Sequence, residues 1–102
     1  MLNNFRTYDL AVSFYFVCKK LSVPSFLRNQ LDRASSSIVL NLAEGDARQS
    51  CNDRKHFFNI AYGSLSECKA ILDIATNNND SKAINLANNL GAHIYRLIQH
   101  AY

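Results

Sequence analysis

Residues 25–45 read SFLRNQLDRASSSIVLNLAEG, and this stretch decides the fold. Leu27, Leu31, Ala34, Ile38 and Leu42 recur at intervals of three and four, the period of a helix with one buried face. Asn41 falls near that row, an uncommon place for an amide without partners. A second row, Phe26, Gln30, Arg33, Ser37, Leu40 and Glu44, mixes polar and apolar groups. Pro24 stands just before the stretch, where its fixed φ suits a first turn. Gly45 is read as the residue that ends the helix, which then covers 25–44.

The same period continues on both sides. Upstream, Leu10, Phe14, Val17 and Leu21 form one row with Ala11, Tyr15 and Cys18 beside it, predicting a helix over 5–21. Val12 and Phe16 lie on its opposite side, next to Lys19 and Lys20. The break Ser22-Val23-Pro24 ends it, because the residue before proline avoids helical angles. Downstream, Ser50 followed by Asp53 resembles a capping box and opens a third helix over 51–76. Its stripe is Phe57, Ala61, Ser64, Leu65, Cys68, Leu72 and Ala75, widened by Ile60, Gly63, Glu67, Ile71 and Ile74. The asparagine run 77–79 is a polar break, and Asp80 is the expected N-cap of a fourth helix over 81–101. In that helix Leu86, Leu90, Ile94, Leu97 and Ile98 cluster on one side, while Asn88, Asn89, Arg96 and Gln99 face away.

Short connections force neighbouring helices antiparallel, so 1–102 reads as one all-α domain, an up-down-up-down four-helix bundle. Composition agrees. A hydrophobic content of 48% excludes disorder, and three Gly with one Pro are too few for the turns of a β-sandwich. No apolar run approaches the roughly 20 residues of a membrane span, and no leader pattern follows Met1, so no membrane association is expected. Cys18, Cys51 and Cys68 form no CxxC and are odd in number, which points to free thiols in a cytoplasmic protein. The apolar rows of the first three helices exceed what one bundle interior absorbs, and such a surplus marks an interface. Val12, Phe16, Leu40, Ile60, Ile71 and Ile74 are the candidate interface residues of a homo-oligomer.

Catalytic chemistry finds little to work with. A di-metal bundle site needs Glu-x-x-His on two helices, and neither Glu44 nor Glu67 has that histidine. His56, His93 and His100 are scattered, and Gly45, Gly63 and Gly91 are isolated, so no phosphate-cradling loop is present. No enzyme activity, metal or cofactor is expected. Asn41, Glu44, Ser64 and Glu67 are read instead as a polar layer that fixes the register of two helices. The formal net charge is only +3, yet Arg48, Arg54 and Lys55 gather at the second break and Arg33 lies on the second helix. Grouped cations bind nucleic acid by releasing counterions from its phosphates, and repetition in an oligomer multiplies a weak charge. Arg33, Arg48, Arg54 and Lys55 are therefore the candidate nucleic-acid-binding residues. The competing reading is a solvated rim on a protein-interaction scaffold.

Asn41-Leu42-Ala43-Glu44-Gly45, followed by Ala61-Tyr62-Gly63-Ser64-Leu65-Ser66-Glu67, resembles the four-helix bundle family of the 23S rRNA intervening-sequence proteins. Gln30-Leu31-Asp32-Arg33-Ala34, Ser37-Ile38, Arg48 and Phe57 belong to the same resemblance, which is close over 30–75. It implies a bacterial, antiparallel bundle that assembles as a ring, commonly a homopentamer. Related accessory proteins of diversity-generating retroelements bind nucleic acid and a reverse transcriptase, so RNA or DNA and such an enzyme are the implied partners. Val39-Leu40 stand where the family usually has Pro-Ser, so the second helix keeps its backbone N–H and is expected to run straight. Asp32 replaces a frequent basic residue, and Asp46-Ala47 replace an aromatic-Gly pair.

Overall fold

The computed structural model describes residues 5–76 and 80–101. Four helices make up nearly all of them: α1 (Arg6–Lys20), α2 (Ser25–Ala47), α3 (Cys51–Thr76) and α4 (Ser81–Gln99). No strand occurs among the described residues. Each helix packs on two others, α1 on α2 and α4, and α3 on α2 and α4. The diagonal pairs do not approach, so the bundle has four corners and measures 40 × 22 × 21 Å. The face made by α2 and α3 consequently lies opposite the face made by α1 and α4.

The core is the sum of four apolar stripes. Phe14, Cys18, Leu31, Ile38, Leu42, Phe58, Leu65, Leu72, Leu90 and Ile94 are all buried in one interior cluster. Each fully buried Leu, Ile or Phe contributes about 1.5–3 kcal/mol, which is why the stripes and not helix propensity hold the bundle. Asp80 caps α4, its Oδ1 accepting the Ala83 N–H at 3.0 Å, and Ser50 Oγ accepts the Asp53 N–H at 3.1 Å ahead of α3. The asparagine run 77–79 lies outside the described residues.

Three readings need correction. α2 runs on past Glu44 to Ala47, unbroken through Val39-Leu40, so Gly45 does not end it. Gly45 is buried in the last turn, where a Cβ would sit 2.6 Å from Phe58 Cε1 and 2.8 Å from Phe58 Cδ1. A glycine is required there because the Phe58 ring lies directly on the α2 backbone. Phe58 is accordingly the sealed aromatic of α3, and Phe57 is only half-buried. Ile71 is 4% exposed and belongs to the core, not to an outer face.

The first two turns close in the same way. Arg28, the fourth residue of α2, reaches back to the carbonyl end of α1, donating to Cys18 O at 3.2 Å and Leu21 O at 2.7 Å. Arg54, the fourth residue of α3, donates from one nitrogen to Gly45 O at 3.4 Å, Asp46 O at 3.2 Å and Arg48 O at 3.3 Å at the end of α2. The last carbonyls of a helix lack intrahelical partners and carry partial negative charge, so a guanidinium satisfies both needs.

Candidate nucleic-acid interface

The four candidate cations do not form one surface. Arg54 is committed to the α2 terminus and lies over the Phe58 ring, its carbon 5.4 Å from the ring centre. Arg48 pairs with Glu44 at 2.7 Å and covers the Phe57 ring at 4.9 Å. Lys55 is exposed beside them without an ion pair. At this end three cations, Arg48, Arg54 and Lys55, are matched in number by three carboxylates, Glu44, Asp46 and Asp53. Arg33 is exposed and unpaired, about 20 Å farther along α2 by the rise of 1.5 Å per residue. Its neighbour Asp32 is taken by Arg28 at 3.0 Å and Lys19 at 3.3 Å.

The polar layer forms with different members. Ser37 and Ser64 hydroxyls bond at 2.8 Å across the α2–α3 contact, and Asn41 Nδ2 donates to Ser37 Oγ at 3.0 Å and Ser37 O at 2.9 Å. Asn41 and Ser64 thus belong to it, joined by Ser37, which the sequence reading misses because its row mixes polar and apolar residues. Glu44 and Glu67 do not. Both are exposed, Glu44 on Arg48 and Glu67 with no ion pair among the described residues. The Ser37–Ser64 bond fixes the antiparallel register, bringing Arg33 level with Glu67, Phe26 with Ile74 and Leu40 with Ile60 to within one residue.

The apolar candidates, Ile71 excepted, remain on the surface. Leu40 is 66% exposed, Ile74 65% and Phe16 55%, with Ile60 also exposed. Val12 is half-buried and lines a shallow apolar groove between α1 and α2 with Tyr15, Ser36, Val39 and Leu40. Phe26, at 71%, is a further exposed aromatic that the sequence reading leaves out of the interface.

The interior offers no nucleophile. Cys18 and Cys68 are buried free thiols. Burial pushes the Cys18 thiol up to about 12, against a smaller opposing pull from Arg28, and burial pushes Cys68 up as well. Both stay protonated at neutral pH, and a thiol reacts as its thiolate. Among the described residues no group of three or more His, Cys, Asp or Glu side chains is arranged to hold a metal, and no helix is long and apolar enough to cross a membrane.

A family model described as 23S rRNA-intervening sequence protein matches residues 5–100. No curated protein matches the chain.

Proposed function

This chain belongs to the 23S rRNA-intervening sequence protein family, and from that premise we propose a non-enzymatic bundle that assembles into a homo-oligomeric ring and serves as a nucleic-acid-binding accessory protein. The observation that carries the assembly is the α2–α3 face. Phe26 and Ile74 at one end and Ile60 at the other expose apolar side chains whose burial is favourable, and Leu40, on the outer ridge of α2 where it also lines the α1–α2 groove, extends the apolar surface. Between them Arg33 and Glu67 sit level without pairing with each other, so a neighbouring copy can complete both charges. A ring of five is the assembly that the family resemblance implies. Repetition around it turns the modest +3 of one chain into a field able to attract phosphates.

One observation favours a second reading, a scaffold that docks a partner protein and no nucleic acid. Arg48 and Arg54, half of the cations expected to bind phosphate, are engaged inside the chain. Sedimentation of the protein with a labelled RNA or DNA oligonucleotide at low salt separates the two. The oligonucleotide is expected to travel with the protein. If neither nucleic acid does so, the scaffold reading replaces this one.

A further inference from the structure

Four cations without an ion pair among the described residues, Arg6, Lys20, Lys82 and Arg96, lie on the face opposite α2–α3, and we propose that the seam between α1 and α4 is a nucleic-acid groove that tracks a phosphodiester backbone. The ligand class rests on the nucleic-acid reading above; the location does not follow from it. Arg6, Ser13 and Lys20 on α1 are spaced by seven residues, and so are Lys82, Asn89 and Arg96 on α4. Seven residues are close to two helical turns, so each helix carries a cation, a neutral hydrogen-bonding side chain and a second cation in one line. α1 and α4 pack against each other, which sets the two lines side by side. All six residues are exposed.

Both ends of the seam bring cations together. Lys20 and Lys82 line one concavity, with Phe16, Val17, Leu21 and Asp80. At the other end His93, three residues before Arg96 on α4, lies within electrostatic reach of Arg96 and of Arg6. Partial burial, then Arg96, then Arg6 hold its imidazole below the ordinary 6.5. None of Arg6, Lys20, Lys82 and Arg96 makes an ion pair among the described residues. α4 contains no acidic residue at all. Two carboxylates lie nearby, Asp80 at the α4 N-cap and Asp9 on the rim, so four cations face two carboxylates.

The dimensions suit a strand. Arg6 and Lys20 stand about 21 Å apart along α1 at 1.5 Å per residue. That distance spans a few phosphates of a strand laid along the seam. Cations at both ends with Ser13 and Asn89 between them give a path for holding the backbone and no device for reading bases, so binding is expected to be indifferent to sequence. Because the seam is opposite the α2–α3 face, assembly through that face leaves it open.

The test is a fluorescence titration of the full chain against a labelled 20-nucleotide single strand, as RNA and as DNA, over a series of salt concentrations. Replacing Arg6, Lys20, Lys82 and Arg96 together by Gln is expected to lower the log–log salt slope by about 3, at roughly 0.7 for each phosphate of a single strand that is no longer neutralised. Helicity and oligomer mass are expected to stay as in the parent, since these side chains hold nothing in place. The comparison variant carries Arg33→Gln with Lys55→Gln and is expected to change the slope less. Binding by the parent with an unchanged slope in the quadruple variant, or a larger drop in the comparison variant, overturns the seam while leaving nucleic-acid binding intact. No binding of either strand by the parent overturns both.

Discussion

Gly45 shows how much one hydrogen can decide. The Phe58 ring occupies the space of a Cβ at that position, and Phe58 is sealed from solvent, so it has nowhere to turn. Gly45→Ala is expected to cost about 1–3 kcal/mol, the usual range for overpacking a core, seen as a lower denaturation midpoint. Gly63 is the control: a Cβ there meets nothing within 4 Å, so Gly63→Ala escapes this penalty. An equal loss in both would mean that the ring does not press on α2. The sequence could not reveal this packing. Phe57 and Phe58 are adjacent and point about 100° apart, and an apolar arc as wide as that of α3 accepts either one. Ile71 escapes a sequence reading for the same reason, on the edge of an arc with room for it inside.

At the scale of elements, the four helices were legible because each carries a row of period 3.6 and the breaks between them are polar or hold proline. Ser50 and Asp80 were legible as starts because a side-chain cap is local in sequence. The helix ends were not, since their caps arrive from the next helix. Arg28 and Arg54 each close the preceding helix, a role that exists only once the turn is folded, and Arg54 therefore reads as a free surface cation until the fold is known. This distinguishes two neighbours. Arg54→Gln is expected to destabilise the chain by about 1–2 kcal/mol through removal of the charge-assisted bonds, whereas Lys55→Gln stays within about 0.5 kcal/mol. Urea denaturation of both variants gives the comparison, and equal midpoints would show that the guanidinium does not hold the turn.

For the whole molecule, the two broad faces differ in kind. The α2–α3 side exposes apolar residues around an unpaired Arg33 and Glu67, while the α1–α4 side gathers unpaired cations. Total charge and composition are blind to this separation, because they sum over faces that the fold sets apart. Interior and outer apolar residues differ in what they lose on acquiring a charge. Leu31→Asp buries a carboxylate without a partner and is expected to unfold the bundle. Leu40→Asp and Phe16→Asp leave the carboxylate in water and are expected to keep the helical content. The most direct measurement is sedimentation equilibrium of the unmodified chain beside Leu40→Asp at micromolar concentration. A mass several times 11.5 kDa is expected for the former, five times for a pentameric ring, and a lower mass for the variant at unchanged helicity. A single 11.5 kDa species for the unmodified chain would contradict assembly through the α2–α3 face.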